Sequence, residues 1–341
     1  HGRHDLPWKA NLTNNIFDPY PIWVAEVMLQ QTQLKVMLPF WKKWMLVFPT
    51  VDELSKSSLD EVLMIWQGLG YYSRARNLYL ASKQLNNGKL PATFQEWINL
   101  PGIGRTTAGS ILSSSYNSPF PILDGNVRRV LARLNDCAEP PKSVNVLFWE
   151  WSENLLDHKR PRDFNQALMD LGSLVCTPRK PNCDLCPWRE RCRAYDLGMP
   201  NSFPVKMSRN PLPKEVIGIG IVWNAIGQVL IDQRLPEGLL GGLWEFPGGK
   251  QEPNESIQTT VEREIKEELG ILIDVGEKLV SFSHSYSHKK IQFEVFICNL
   301  IAGKPKPLAS QQVKWVHPDD LSEYPFPSAN SKIIKALRNA S

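Results

Sequence analysis

The sequence predicts a multidomain protein in which an all-α domain is followed by an α/β (α+β) domain. Apolar residues recur at helical spacing up to about residue 195, and a stretch rich in proline and polar residues covers 197–214. After this stretch, β-like runs replace the helical pattern. A chain of 341 residues is also longer than most single domains. We therefore expect a helical domain at 1–196, a linker at 197–214 and a second domain at 215–341.

Eight helices are predicted in the first domain, because proline and glycine separate segments with helical periodicity. Their ranges are 22–33, 37–48, 59–68, 73–86, 104–115, 125–135, 145–156 and 163–174. The second domain is predicted to combine four strands with one acidic helix, Ser256–Leu269. The strands are Val216–Trp223, Val229–Asp232, Leu279–Ser283 and Ile291–Leu300.

The charge distribution separates the two halves of the chain. Residues 1–200 contain 23 Lys and Arg against 19 Asp and Glu, whereas residues 201–341 contain 16 of each. The weakly basic first part fits a polyanionic partner without identifying one. We find no run of 18 apolar residues and no export signal, so we expect a cytoplasmic protein without a membrane partner. The chain begins at His1 without a methionine, and we expect it to be trimmed.

Four of the six cysteines lie close together, with the spacing C-x6-C-x2-C-x5-C. They are Cys176, Cys183, Cys186 and Cys192. Without an export signal, this crowding indicates a metal or cluster site rather than disulfides. Zinc sites more often pair two short C-x2-4-C segments, and only one short pair is present here. The spacing favours a [4Fe–4S] cluster and leaves zinc as the alternative.

A glycine-containing turn, Leu100–Arg105, lies between two predicted helices. Gly102 and Gly104 would let backbone N–H groups approach a phosphate at the N-terminus of the next helix, although a lone G-x-G usually marks only a turn. About 20 residues later, Asp124 precedes a glycine. This aspartate is either a helix cap or an anion held beside a developing positive charge.

Glu26 is a single acid among apolar neighbours in the segment Pro21–Gln33. A surface salt bridge is one explanation for such a residue. The other is a general acid, because apolar surroundings favour the neutral form of a carboxyl group.

These segments together resemble the MutY-type adenine DNA glycosylases of the endonuclease-III-like helix-hairpin-helix superfamily. The resemblance rests on Pro21–Gln33, on L-P-G-I-G-R-T-T-A followed by Asp124, and on the cysteine spacing. It implies a bacterial, monomeric base-excision-repair enzyme with a [4Fe–4S] cluster. The implied reaction removes adenine that is mispaired with 8-oxoguanine, or with guanine, in double-stranded DNA.

The resemblance also implies roles for individual residues. Glu26 would protonate N7 of adenine and later handle the attacking water, and Asp124 would stabilise positive charge at C1′ of the sugar. Tyr116 would lie near the sugar, and Asn126 would orient the two acids. Family members that also cleave the strand carry a lysine nucleophile where this chain has Thr106, so we expect a monofunctional enzyme.

Further positions match residues near the adenine and the duplex. Gln31, Thr32 and Tyr71 match side chains that wedge into the stack and hold the 8-oxoguanine side. For Tyr71 and its neighbour Tyr72, core packing of one of the two is the alternative. The predicted adenine pocket contains Trp8, Lys9 and Gln166, and Lys9 departs from the arginine of some members. The hairpin residues Gly102, Gly104 and Arg105 complete the predicted DNA-binding set.

The second domain contains a complete Nudix box, Gly249-x5-Glu255-x7-Arg263-Glu264-Ile265-x-Glu267-Glu268-x-Gly270. On a helix, Glu264, Glu267 and Glu268 share one face, and three carboxylates so placed repel one another unless they hold cations. They are therefore candidate Mg2+ ligands. A solvated acidic face is the alternative.

This box departs from the family pattern, because MutY C-terminal domains resemble Nudix hydrolases but usually carry a degraded box. Trp244–Lys250 and Pro327–Asn330 also look like the nucleotide hydrolase MutT, with Asn330 matching a base contact. In contrast, Ser281–His288 resembles the MutY recognition loop, in which Tyr286, Ser287 and His288 would contact 8-oxoguanine. We therefore expect a Nudix-like domain that recognises 8-oxoguanine.

The sequence also offers three alternatives to a monofunctional adenine glycosylase. The first is a bifunctional protein that also hydrolyses 8-oxo-dGTP through the intact box. The second is a nucleotide diphosphatase fused to a DNA-binding module, against which Glu26 and Asp124 argue. The third is a non-catalytic DNA-binding protein, which would need neither Glu26 nor the Nudix carboxylates.

Overall fold

The computed structural model describes residues 5–10, 12–85, 88–140, 142–205, 212–238, 240–286 and 289–340. The chain forms two compact units. The N-terminal unit contains His1–Ser55 and Leu80–Arg209, and the C-terminal unit contains Lys56–Tyr79 and Asn210–Ser341. Residues 56–79 therefore belong to the C-terminal unit although they lie between two parts of the N-terminal unit. The sequence predicts continuous domains and does not place this segment with the second domain.

The first 196 residues are helical, apart from a short hairpin of β1 (Leu12–Thr13) and β2 (Ile16–Phe17). In chain order the helices are α1 Pro19–Leu29, α2 Leu34–Val47, α3 Val51–Lys56, α4 Leu59–Trp66, α5 Ser73–Gln84, α6 Phe94–Ile98, α7 Arg105–Tyr116, α8 Gly125–Leu134, α9 Asn145–Leu155, α10 Pro161–Asp170 and α11 Arg193–Asp196. A π-helical turn, Leu171–Val175, follows α10. All eight helices predicted from periodicity are present, and the predicted all-α class of this part is confirmed.

Helix α1 is the central helix of the N-terminal unit, and it packs against α2 and α7. The Asp18 side chain caps its first turn by accepting a hydrogen bond from the Tyr20 N–H, and Pro19 occupies the first helical position. A helix that is apolar on all sides is expected to be buried, and most α1 side chains are. Helix α7 contributes small side chains on its side of the contact. A Cβ at Gly109 would come within 2.7 Å of the Pro121 carbonyl oxygen, so this position requires glycine.

Within its described residues, the C-terminal unit is built on a mixed sheet of seven strands. The strands are β3 Lys214–Trp223, β4 Val229–Gln233, β5 Trp244–Glu245, β6 Gly248–Lys250, β7 Leu272–Ser285, β8 Lys290–Ala302 and β9 Gln312–Val316. The main path runs β5-β4-β3-β8-β7, while β6 pairs with β3 and β9 pairs with β4. Only β3 and β8 run parallel among these pairs. This mixed sheet confirms the predicted class of the second domain.

Two helices cover the sheet and form its two apolar cores. Helix α12 (Ile257–Leu269) packs on the face that carries Val222 and Phe296. Helix α13 (Asn330–Ala340) buries Ile333 and Leu337 in the other core, on the face that carries Val295. Because successive side chains of β8 point to opposite faces of the sheet, this strand contributes Val295 to one core and Phe296 to the other. Within the described ranges, no helix is long and apolar enough to cross a membrane.

Candidate active site, cluster loop and acidic helix

Two carboxyl groups from separate elements lie near each other in the N-terminal unit. Glu26 projects from α1, and Asp124 is the N-cap residue of α8. Burial raises the pKa of Glu26, and the negative charge of Asp124 raises it further. The Ser110 hydroxyl and the Lys9 ammonium oppose this shift without cancelling it. The fold thus brings an acid whose protonated form is favoured near a second carboxylate.

For Asp124, the two alternatives left open by the sequence are compatible. One carboxylate oxygen accepts a hydrogen bond from the Val127 N–H at 2.7 Å, which caps α8. The other oxygen accepts from the Asn126 side-chain amide at 3.1 Å. Burial raises the pKa of Asp124, while these two donors favour its anion. The cap therefore fixes the orientation of a carboxylate that also faces Glu26.

Of the three predicted adenine-pocket residues, Lys9 lies close enough to Glu26 for their charges to interact. The Lys9 ammonium donates to the Gln166 side-chain oxygen at 2.7 Å. Burial lowers the pKa of Lys9, and Glu26 and Asp170 partly restore it. Trp8 is buried and its ring lies 5.6 Å from that of Trp41. Tyr116 lies at the C-terminal end of α7, where burial and the charge of Asp18 raise its pKa.

A hydrogen-bond chain connects Asp124 to the cysteine loop through Arg129, which the sequence did not indicate. The Arg129 guanidinium donates to the Asn126 side-chain oxygen at 2.9 Å and to the Cys176 carbonyl oxygen at 2.8 Å. It also donates to the Gly172 carbonyl at 2.5 Å. A Cβ at Gly172 would lie 2.6 Å from the Asn126 Cβ, so only glycine permits this close approach of the π-helical turn.

The four cysteines at 176–192 line a common cavity. Arg133 is buried beside it and donates to the Cys176 sulfur at 3.2 Å and to the Thr177 carbonyl oxygen at 2.8 Å. Among the described residues, no group of three or more His, Cys, Asp or Glu is arranged to hold a metal ion. Four thiols around one cavity can each ligate a different iron of an iron–sulfur cluster.

The glycine turn forms the connection from α6 to α7, as predicted. Gly102 has a positive φ of 76°, and Gly104 is the N-cap residue of α7 without a side-chain cap. A Cβ at Gly104 would meet no atom within 4 Å, so the surface beside this backbone is open. The Arg105 guanidinium lies 4.0 Å from the Trp149 ring centre and pairs with Glu153 at 3.4 Å. The Thr106 hydroxyl donates to the Leu123 carbonyl oxygen at 3.3 Å.

Two of the predicted wedge residues have a strained backbone. Seven described non-glycine residues have positive φ, and five of them are Asn or Asp, which tolerate this region. The other two are Gln31, with φ 57°, and Tyr71, with φ 49°. Gln31 and Tyr71 are exposed, whereas Tyr72 is buried in the core, so the packing alternative holds for Tyr72. Backbone strain on exposed side chains is typical of functional positions.

The turn that carries Tyr71 is held in place by Arg74. The buried Arg74 guanidinium donates to the Gly70 carbonyl oxygen at 3.0 Å, and it lies 5.2 Å from the Tyr71 ring centre and 5.3 Å from that of Trp66. Burial lowers its pKa to about 10, which leaves it charged at neutral pH. Thr32 follows Gln31 in the turn after α1, where its hydroxyl donates to the Gln30 carbonyl oxygen at 3.4 Å.

In the C-terminal unit, Arg263 of α12 contacts three Nudix carboxylates, two of them on α12 and one, Glu255, just before it. Arg263 donates to Glu255 at 2.9 Å, to Glu264 at 3.0 Å and to Glu267 at 3.2 Å. Burial raises the pKa of Glu268 to about 7. The Glu264 carboxylate lies against Gly249, where a Cβ would come within 2.2 Å of its carboxyl carbon. A larger residue at this position would therefore displace the Glu264 carboxylate.

Two further carboxyl groups near Glu268 were not identified from the sequence. Asp232 of β4 and Glu245 of β5 are cross-strand neighbours, and Asp232 is buried. Burial and the nearby Glu245 raise the pKa of Asp232 to about 9. Arg234 binds both oxygens of Glu245, at 2.6 and 2.7 Å. The only sequence signal was an acid within an otherwise apolar strand.

The predicted recognition loop is described only in part. Tyr286 directly follows β7, and its ring centre lies 4.6 Å from that of His284. Its N–H donates to the Lys289 carbonyl oxygen. Ser287 and His288 lie outside the described residues. Asn330, at the start of α13, is buried, and its side-chain nitrogen has no hydrogen-bond partner among the described residues.

Three family models match different parts of the chain. Residues 24–154 match the HhH-GPD superfamily of base excision DNA repair proteins, and residues 176–192 match the iron-sulfur binding domain of endonuclease III. Residues 218–336 match the NUDIX domain. The match to the iron-sulfur binding domain of endonuclease III shows that the cysteine loop is an iron–sulfur binding segment.

Similar proteins match over nearly the whole chain. The adenine DNA glycosylase of Mus musculus is 34% identical over 98% of this chain and 75% of its own length. That of Buchnera aphidicola subsp. Acyrthosiphon pisum is 36% identical over 84% of this chain and 80% of its own length. A solved structure of a thermostable thymine-DNA glycosylase is 25% identical, with a TM-score of 0.50, over 57% of this chain and 89% of that chain.

Proposed function

The chain belongs to the adenine DNA glycosylase family, and we propose that it excises adenine paired with 8-oxoguanine or guanine in duplex DNA without cleaving the strand. The observation that carries the proposal is the pairing of Glu26 and Asp124 in one site. Base excision needs a proton for the leaving base and an anion for the sugar, and these two groups can supply both.

In this mechanism, Glu26 acts first as general acid. Burial favours its protonated form, so it can donate to N7 of a flipped adenine and turn a poor leaving group into a neutral one. Asp124 is held by the Val127 N–H and the Asn126 amide, and its anion stabilises the positive charge that develops at C1′. Glu26, now ionised, accepts a proton from the attacking water. Lys9, Gln166, Trp8 and Tyr116 shape the pocket around base and sugar.

Strand cleavage by a family-type lyase would require an amine where Thr106 lies. The Thr106 hydroxyl is engaged with the Leu123 carbonyl oxygen and cannot form a Schiff base. The proposed products are therefore free adenine and an intact strand that contains an abasic site.

The proposed cofactor is a [4Fe–4S] cluster held by Cys176, Cys183, Cys186 and Cys192. When bound, the cluster supplies a covalent cross-link of the loop. The side chains of Arg133 and Arg129 then fix this loop against α8.

The proposed duplex contacts come from both units. The open N-terminus of α7 at Gly102, Gly104 and Arg105 offers N–H groups to a phosphate. Gln31, Thr32 and Tyr71 would enter the stack and compensate for the flipped adenine. Tyr286, with Ser287 and His288, would read 8-oxoguanine. We propose that the enzyme acts as a monomer.

The test is incubation with duplexes that contain A opposite 8-oxoguanine or G, followed by alkali to reveal abasic sites. We expect alkali-dependent cleavage by the parent, and its loss in Glu26→Gln and in Asp124→Asn while DNA binding persists. Glu277→Gln, an exposed acid of the C-terminal unit, is the control and should behave as the parent. Near-parent excision by either active-site variant would refute its assigned role.

The complete Nudix box favours a second candidate activity, hydrolysis of 8-oxo-dGTP with Mg2+ at Glu264, Glu267 and Glu268. Its test is pyrophosphate or phosphate release in the parent and in Glu267→Gln. Loss of release in the variant, with adenine excision intact, would establish a second active site. Release that is absent from the parent, or equal in both proteins, would exclude hydrolysis by this box.

A further inference from the structure

The exposed, strained Tyr71 belongs to the C-terminal unit, whereas Gln31 belongs to the N-terminal unit. The segment 56–79 that carries Tyr71 is bonded to the sheet through Asp60. One Asp60 oxygen accepts from the Gln233 side-chain amide at 2.9 Å, and the other accepts from the Trp244 indole N–H at 3.4 Å. Gln233 and Trp244 are themselves cross-strand partners in β4 and β5.

Arg76 makes a second connection between this segment and the loop that joins β4 to β5. Its guanidinium is buried, and it donates to the carbonyl oxygens of Gly238 and Gly241, the latter at 2.6 Å. Next to it, Gly242 lies so close to Leu59 and Leu63 that a Cβ would contact both at 3.3 Å. Helices α4 and α5 therefore contact the sheet and its β4–β5 loop in three ways. These are the hydrogen bonds of the Arg76 guanidinium, those of the Asp60 carboxylate, and the apolar contact at Gly242.

The same segment also lies near the described part of the recognition loop. Tyr72 is buried directly after Tyr71, and its hydroxyl donates to the Phe326 carbonyl oxygen at 3.5 Å. Tyr286 packs on the same apolar cluster of the sheet that contains Phe326 and Trp244. Tyr71 and Tyr286 are thus carried on one body, with Arg74 fixing the turn of Tyr71.

We propose that Asp60 and Arg76 are specificity-determining positioning residues, which make the wedge at Tyr71 and the recognition loop at Tyr286 move as one body. This inference rests on the proposed function, since it concerns how 8-oxoguanine is distinguished from guanine. If both side chains are fixed to one sheet, Tyr71 reaches its place in the duplex only when the recognition loop also docks on the lesion. Neither Asp60 nor Arg76 needs to touch the DNA for this coupling.

The test compares kcat/KM for adenine opposite 8-oxoguanine with kcat/KM for adenine opposite guanine. Asp60→Ala and Arg76→Ala should lower the ratio about fivefold to tenfold, the range of one or two buried hydrogen bonds. Asp60→Asn keeps one acceptor oxygen and places an NH2 donor against the other N–H donor, so it should restore only part of the ratio. Arg338→Ala, which removes an exposed cation on α13, is the matched control and should leave the ratio unchanged.

A double-mutant cycle separates this coupling from a general loss of structure. If Asp60 and Arg76 act through Tyr71, their alanine variants should change the ratio little further in a Tyr71→Ala background. Additive effects would overturn the inference, as would an unchanged ratio in both single variants. If Arg76→Ala fails to fold, Arg76→Lys, which cannot bridge both carbonyls, replaces it in the cycle. A parent enzyme without any preference for 8-oxoguanine would instead refute the proposed lesion recognition.

Discussion

The raised pKa of Glu26 predicts a pH-dependent cost in stability. Burial raises this pKa, so between the unfolded value near 4.5 and the folded value the native state holds a proton that the unfolded state releases. Stability of the parent therefore falls as pH rises through this window. Glu26→Gln removes the titration, and its melting temperature relative to that of the parent should increase from pH 4 to pH 8. Thermal unfolding across this range is the measurement, and a difference that is constant with pH would contradict the prediction.

Glu26 and Arg129 show which single residues a sequence can identify. Glu26 was predicted because an acid inside a helical run of apolar residues conflicts with its surroundings, and this conflict is visible locally. Arg129 and Arg133 have no such signal, since basic residues on a helix are ordinary. Their importance comes from carbonyl groups more than 40 positions away in the chain, at Gly172, Cys176 and Thr177. Such partners become apparent only when the fold is known.

At the scale of elements, agreement with the sequence follows the locality of the signal. The eight longer helices and four of the strands were predicted because their periodicity lies within one segment. The short strands β5, β6 and β9 were missed, because two to five residues show no alternation and their pairing with β3 and β4 is non-local. The cluster loop was recognised through cysteine spacing, whereas the π-helical turn that leads into it was included in a regular helix.

Helix α8 joins the active site to the cluster loop, and Arg133 on it should control cluster retention. Its guanidinium contacts Cys176, Thr177, Pro178 and Phe203, and lysine cannot make these bonds together. Arg133→Lys should lose about 2–3 kcal/mol of stability and a substantial share of its iron. Iron content and visible absorbance of the purified protein are the measurements. Arg193→Lys, at an exposed position beside the same loop, is the matched control, and equal iron in both variants would disprove the role.

At the scale of the whole molecule, the order of the two folds could be predicted from the change in residue pattern near residue 200. The assignment of residues 56–79 to the C-terminal unit could not. Helix α4 has an ordinary amphipathic sequence, and nothing in it specifies which apolar core it joins. That choice depends on contacts with residues that lie 173 to 184 positions later. Asp60 meets Gln233 and Trp244, and Leu59 and Leu63 meet Gly242.

The assignment of residues 56–79 to the C-terminal unit predicts which elements open together in local unfolding. Amide exchange reports cooperative units, so α4 should lose protection together with the sheet rather than with α1. Ile231→Ala creates a cavity in the sheet core, where this side chain is fully buried, and should cost about 2–5 kcal/mol. Hydrogen-exchange mass spectrometry of the full chain should then show faster exchange in β8 and α4, with α1 unchanged. Ile111→Ala, an equally buried position on α7, is the reciprocal variant. It should accelerate exchange in α1 and α7 and leave α4 protected.

If α4 instead followed α1 in both variants, residues 56–79 would belong energetically to the N-terminal unit. The proposed coupling of Tyr71 to the sheet would then be wrong.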